Sequence, residues 1–453
     1  MTTKGLLDRN IVINEEKIVD FTTDVPQCDK KINAKGLVAI PGVIDTHVHY
    51  GVYSPIEEAA KTESKAAALG GVTTMMRMLR LGRSYKTHLQ AQLDASKTSH
   101  YVDYTIHATI FDERQADEMK FCAENGITSF KLYMNLGGEV GHVYMDMDPG
   151  ASDLFEARVQ LETSTIRKVL SNAAKLGCPV LVHAEDYQMC ECGIKKAKED
   201  RKDGLAAWSQ SRPPDSEAKS IRKVCKIARE FGTTIYFVHI GSAVALDTIQ
   251  EERKKKTKIF VETCPHYMTL SYENQKGYLA KVMPPIRTAS DNQRVWQAIS
   301  EKTIDTIGTD HVANRIKLKV GDDVWSSLAG FPGIGVSLPI LLSEGVNKNR
   351  IDLGRLVDLT SANAAKIFGM YPQKGALQKG SDADIALIDL KKENKVNADF
   401  FGAFSDYMVY EGWKLKGWPQ TVLVRGTTVT ENMQTVGKPG HGKLVKRKSD
   451  TTI

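Results

Sequence analysis

Short runs of apolar residues recur along the chain, each followed by polar residues and then by a stretch of helical period that stops at glycine. Eight such runs can be read: 38–40 continuing into 43–47, then 71–76, 104–108, 127–132, 179–183, 234–239, 258–262 and 305–310. Their near-continuous apolar character suits strands covered on both faces, as in a parallel sheet. Between the fourth and fifth, Ile166, Val169, Leu170, Ala173 and Ala174 keep i, i+3, i+4, i+7, i+8 spacing, and Gly177 is placed to end the helix. Gly70, Gly126 and Gly232 close helical stretches at 57–69, 113–125 and 216–231 in the same way. Eight strand–helix units predict an α/β fold, a (β/α)8 barrel whose active site lies at the C-terminal ends of its strands.

The two ends of the chain keep a different rhythm. Gly5-Leu6-Leu7 and Ile11-Val12-Ile13 near the start, and Ala383-Asp384-Ile385-Ala386-Leu387-Ile388 and Val422-Leu423-Val424 near the end, are short strand patterns without a helical period. They predict a small β-sandwich domain formed by both chain ends. The expected division is 1–39 and 375–430 for the two parts of the sandwich, 40–374 for the barrel and 431–453 for a basic tail.

Length and charge narrow the function classes. A chain of 453 residues is too long for one small module, and 42% hydrophobic with 26% charged residues is a globular balance. The net charge of +6 is modest, and part of it is Lys443, Lys446, Arg447 and Lys448 in a tail expected to fray. Such a tail is not the basic stripe of a nucleic-acid binder. No secretory leader and no membrane span are expected either. Seven scattered cysteines, with Cys190 and Cys192 the only close pair, suit a reduced, cytoplasmic protein.

Histidine, with 11 residues, carries the chemistry. His47-Val48-His49 closes the first predicted strand, where alternation puts both rings on one side. His183 ends the fifth strand, His239 the sixth, and Asp310 the eighth, with His311 beside it. A barrel gathers these at one mouth. Imidazoles with a carboxylate suit zinc and its neighbours, and four histidines exceed what one catalytic ion with an open position needs, so two metals share the set. Any one of these histidines alone reads as a packed core residue; all five residues at strand ends in this order do not. Lys131 ends the fourth strand, where a bare ammonium beside two dications is costly. Carbamylation by carbon dioxide would turn its tip into a bridging carboxylate. Cys264 reads as a buried turn residue and His107 as core, while His266 is a candidate for the pocket mouth. The loop 137–150 is a candidate lid, its Asp146 and Asp148 expected in solvent or capping the next helix.

With these residues in place the chain resembles the amidohydrolase superfamily, in its cyclic-amide branch of dihydropyrimidinases, hydantoinases, allantoinases and dihydroorotases. The resemblance rests on Pro41-Gly42-Val43-Ile44-Asp45-Thr46-His47-Val48-His49, Gly70-Gly71-Val72-Thr73-Thr74, Phe130-Lys131 and Val182-His183-Ala184-Glu185. It continues through Ser211-Arg212-Pro213-Pro214 with Glu217, Val238-His239, Glu262-Thr263-Cys264-Pro265-His266-Tyr267, Pro284-Pro285-Ile286-Arg287, Thr309-Asp310-His311 and Gly380-Ser381-Asp382-Ala383-Asp384. It implies His47 and His49 on a more buried metal, His183 and His239 on a more exposed one, carbamylated Lys131 bridging both, and Asp310 on the first. It also implies two zinc ions or similar divalent metals and a bridging hydroxide as nucleophile. Asp310 would move the proton to the leaving nitrogen, and a ring-opened carbamoyl or ureido acid would result.

The substrate-reading positions depart from that branch. Leu136 stands where dihydropyrimidinases and hydantoinases carry a tyrosine, Met283 where they carry serine, and Pro332 where they carry asparagine. A more apolar pocket, and a substrate with a hydrophobic substituent, is the expectation. Gly51 occupies the place of the arginine of dihydroorotases. The reading is a hydrolase of a hydantoin, dihydropyrimidine or imide. An allantoinase-like ureide hydrolase is the alternative, and a metal-free scaffold relative is a third that the retained ligands disfavour. The resemblance further implies a homo-oligomer, dimer or tetramer, with Phe400-Phe401-Gly402-Ala403-Phe404 a candidate contact.

Overall fold

A computed structural model describes residues 5–275 and 277–449. Seven parallel strands, Val43–His49, Val72–Leu79, Asp103–Thr109, Phe130–Tyr133, Val180–His183, Ile235–Phe237 and Ile259–Thr263, lie side by side in chain order. The eighth is broken: Thr306–Ile307 pairs with the seventh strand, and His311–Val312 pairs with the first. The chain bends between these halves at Gly308-Thr309-Asp310, and so one strand closes the barrel on both sides. Helices cover the outside. Thr163–Leu176 and Pro214–Phe231 each turn an apolar face inward and end at Gly177 (φ 63°) and Gly232 (φ 73°), left-handed positions that glycine takes without strain.

The first predicted strand is two strands. Val38–Pro41 leaves the barrel and pairs antiparallel with Ile385–Lys395, while Val43–His49 enters it. Gly42 is the hinge, because a Cβ there would fall 2.1 Å from Thr73 Oγ1. Val38–Pro41 is one edge of a five-stranded antiparallel sheet completed by Lys414–Val424, Thr427–Glu431 and Gln434–Thr435. The hairpin Asn10–Asn14/Lys17–Thr22 covers that sheet, packing Ile11, Ile13, Ile18 and Phe21 against Ile385, Leu387 and Leu423. Both chain ends thus build one sandwich.

A cluster of buried charge ties this sandwich to the barrel. Lys374 Nζ lies 2.5 Å from Asp103, 2.7 Å from Asp384 and 3.0 Å from Asp382. Arg425 also pairs with Asp103, and its N–H donates to Asp384. The ammonium fills the space among three carboxylates that would otherwise resemble a cation site.

The basic tail does not fray over its described length. Its backbone runs beside Tyr104, to which Lys443 and Val445 hydrogen-bond. Arg447, 4% exposed, enters the barrel floor and donates to Thr105 Oγ1, Ser129 Oγ and the Ile106 carbonyl. Three oxygens take its donors there, and burial without a carboxylate pulls its pKa down to about 9.

Candidate metal centre

Strand alternation aims His47 and His49 into the mouth, and the bend in the eighth strand brings Asp310 to them. His47 Nε2 and His49 Nε2 are 3.2 Å apart, and Asp310 Oδ1 lies 3.2 and 3.1 Å from them. Three donors at about 2.0–2.1 Å from one tetrahedral centre would stand about 3.3 Å from each other, so the spacing fits a shared cation. His183 and His239 are beside them, with the His239 ring 4.6 Å from His183 and 5.3 Å from His47. Burial holds all four imidazoles below their ordinary pKa, and the charge of Lys131 pushes each further down. Neutral rings keep the lone pairs that a metal needs.

Lys131 sits among them, fully buried, its Nζ without a hydrogen-bond partner. Desolvation lowers its pKa far below the usual lysine range, despite the nearby Asp310 and Glu262. A buried amine with no partner, next to four neutral imidazoles, is unsatisfied as it stands. The donor set therefore fits divalent metal ions, with His47, His49 and Asp310 the group that meets most closely.

A second ring of groups orients the first. Glu262 Oε1 takes His47 Nδ1 at 2.8 Å, and its other oxygen accepts from Thr46 and Tyr236. Glu185 takes His183 Nε2 at 2.6 Å and leaves Nδ1 free. Arg212 clamps Glu185 through two nitrogens, and Arg287, paired with Glu217, donates to the Arg212 carbonyl. These partners lie in stretches that sequence reasoning matched as motifs without assigning them roles. Asp45 holds Thr309 by N–H and hydroxyl, fixing the bend before Asp310. His239 and Asp310 have φ of 45° and 50°, a strained conformation for residues with side chains, kept where two ligands must turn inward.

Other histidines take structural places. His107 is buried between Ser129 Oγ and the Thr46 carbonyl. His311 accepts the Gly333 N–H at Nδ1 and so donates from Nε2 to Glu63. His266 is buried against Tyr267 and Phe331.

Above the histidines opens a cavity of about 940 Å³. Leu136 and Met283 lie on its wall; Pro332 is buried two residues beyond Gly330, where the wall ends. Tyr53, Arg80, Tyr133 and Asn135 line it too, and none was singled out from the sequence. Tyr133 follows Lys131 by two residues, so alternation turns it the same way; its hydroxyl is buried without a partner. The candidate lid holds the first strand of a hairpin, His142–Met145, which pairs with Phe155–Arg158 just beyond it. Asp146 is not solvated but 2% exposed and paired with Arg77, while Asp148 pairs with Arg83.

The amidohydrolase family profile matches residues 38–444, covering barrel, metal centre and most of the sandwich. The chain belongs to the amidohydrolase family. Over 464 aligned residues this amidohydrolase is 30% identical to a D-hydantoinase of Geobacillus stearothermophilus, covering 99% of this chain and 94% of the relative. It is 28% identical to an L-hydantoinase of Paenarthrobacter aurescens, covering 99% and 96%. Among solved structures, dihydropyrimidinase from Brevibacillus agri superposes with a TM-score of 0.88 at 29% identity over 97% of this chain and 95% of that one. Among the described residues no helix of this amidohydrolase is long and apolar enough to cross a membrane.

Proposed function

We propose that this amidohydrolase opens a cyclic amide by metal-dependent hydrolysis, giving a carbamoyl or ureido acid. The observation that carries the reading is the meeting of His47, His49 and Asp310 donor atoms within 3.2 Å, beside the unpartnered Lys131 Nζ, at the floor of the cavity. Full-length similarity to hydantoinases and a dihydropyrimidinase supports the substrate class.

His47, His49 and Asp310 would hold one cation and His183 and His239 the other, with Lys131 as its carbamate between them; zinc suits this nitrogen-rich set. Bound there, the pair supplies Lewis acidity that acidifies water and polarises an amide carbonyl. The chain supplies the rest. Asp310 is placed to accept the proton of the attacking water and deliver it to the ring nitrogen as the C–N bond breaks. The unpartnered hydroxyl of Tyr133 is a donor available to the carbonyl oxygen, in place of the tyrosine that Leu136 replaces. Glu262 and Glu185 keep His47 and His183 in one tautomer.

A homo-oligomer follows from family resemblance, although Phe401, within the candidate contact, is buried in the chain's own core. Seven unbridged cysteines support a reducing, cytoplasmic setting.

Metal content of the purified protein, measured by mass spectrometry beside hydrolysis of dihydrouracil, hydantoin, allantoin, phenylhydantoin and succinimide, tests the reading. About two metals per chain with opening of a hydantoin, dihydropyrimidine or imide is expected. Opening of allantoin alone would favour the ureide reading, and absence of metal would overturn both.

A further inference from the structure

Three arginines follow at intervals of three from the second barrel strand into its loop: Arg77, Arg80 and Arg83. The lid neutralises two of them. Arg77 pairs with Asp146 at 2.8 Å and spends its other donors on the Tyr50 carbonyl and Gln92. Arg83 pairs with Asp148 at 2.6 Å and covers the Phe155 ring.

Arg80 is treated differently. Its backbone N–H takes the second oxygen of Asp146, yet among the described residues its guanidinium makes no ion pair, and its Nε is shut from solvent without a hydrogen-bond partner. The side chain lines the cavity instead, and its charge bears on His49, Lys131, Tyr53 and Tyr133. A partly desolvated cation beside a centre built for further cations is unfavourable unless an anion joins it. The lid has carboxylates within reach of this loop and commits them elsewhere, which leaves that anion to come with the ligand.

Two carboxylates of the wall are engaged, Glu139 with Arg158 at 3.7 Å and Glu191 with the Glu139 N–H. Lys281 also faces the cavity without a carboxylate, its Nζ on the Ser327 carbonyl and 4.3 Å from the Trp208 ring centroid. Leu136, expected to favour an apolar substituent, is 4% exposed and packs with Phe111, Val143 and Met145 under the lid.

We propose that Arg80 receives a carboxylate on the ring substituent, and that this amidohydrolase acts on a cyclic amide with an acidic side group. This rests on the ring-opening reading above. A guanidinium fork matches a carboxylate, and a site built for a charged partner rejects the neutral analogue strongly.

The test compares hydantoin-5-acetate with its uncharged twin, hydantoin-5-acetamide, on metal-loaded protein, with calorimetric binding of both alongside turnover. The acid is expected to exceed the amide in kcat/KM by about 10-fold or more, chiefly through KM. Arg80→Met should bring that ratio to about one at unchanged metal content, and Arg80→Lys should keep part of it. Equal opening of both rings by the unaltered protein, or an unchanged ratio in Arg80→Met, would overturn the carboxylate subsite and leave ring opening standing. Binding of the acid that is lost in Arg80→Met, with no ring opened, would support the subsite and overturn the ring-opening reading. Neither binding nor opening would overturn both.

Discussion

Glu262 Oε1 lies 2.8 Å from His47 Nδ1, and the same oxygen accepts the backbone N–H of His239 at 3.2 Å. One carboxylate thus fixes the ring of a ligand from the first strand and the backbone of a ligand from the sixth. It is fully buried, and desolvation raises its pKa despite the donors around it.

Removing that carboxylate while keeping its shape, Glu262→Gln, should loosen both metal ligands at once. Metal affinity, measured by competition with a chelator, is expected to fall by about 10- to 100-fold, the usual cost of losing such an outer partner. Affinity unchanged within twofold would mean that His47 needs no such anchor.

Lys131→Ala removes the group placed among all four histidines. Metal content should drop below two per chain and turnover by more than about 100-fold, beyond the loss of an outer partner. Millimolar propionate, a carboxylate small enough for the vacated space, should restore part of both. Unchanged metal content and turnover would defeat the two-metal reading.

Tyr133→Phe deletes one hydroxyl and leaves the ring that covers Lys131. If that hydroxyl meets the carbonyl oxygen as charge develops there, kcat should fall by about 10- to 100-fold with KM within about threefold. An effect confined to KM would place the hydroxyl on the ground-state ring.

The buried cluster at Lys374 sets a pH dependence far from the metals. Burial alone would lower the Lys374 pKa, but Asp384 and Asp382 outweigh it and raise it above the ordinary 10.5. A folded pKa above the unfolded one means that its stabilisation is in full force below pH 10.5 and is lost as pH rises through the folded value. Lys374→Met removes the ammonium that three carboxylates share, Asp103 keeping Arg425 and Asp382 keeping Lys17, and should cost about 3 kcal/mol at neutral pH by urea denaturation. The deficit should shrink in acid as those carboxylates take up protons. An equal deficit at about pH 7 and pH 4.5 would count against this account.

The sequence made the barrel legible because its strands are apolar on both faces and its helices end at glycines such as Gly177 and Gly232. The ligands were legible for a related reason: His47, His49, His183, His239 and Asp310 all follow strand patterns, and strand ends converge in a barrel. Gly42 hid the change of sheet, since apolar residues flank it on both sides and only the closeness of Thr73, which leaves no room for a Cβ, shows why glycine stands there. Arg80 was invisible because its meaning lies in contrast. Only the pairing of Arg77 and Arg83 with the lid shows it to be the unpaired one. Charge predicts solvent for the four basic residues of the tail, which holds for Lys443, Lys446 and Lys448, but it cannot foresee the ordered backbone or the socket at Ser129 for Arg447.

The pairing of Val38–Pro41 with Ile385–Lys395 joins segments roughly 350 residues apart in the chain. The entropy of closing such a span grows slowly, by about 0.6 kcal/mol for each doubling of its length, so it is far less than proportional to the distance along the chain. Time is affected more than stability. Pairings this distant in sequence raise the contact order, which slows folding as a whole. In the folded chain the sandwich is a clasp across the two ends of the barrel, and Lys374 and Arg425 are its catch.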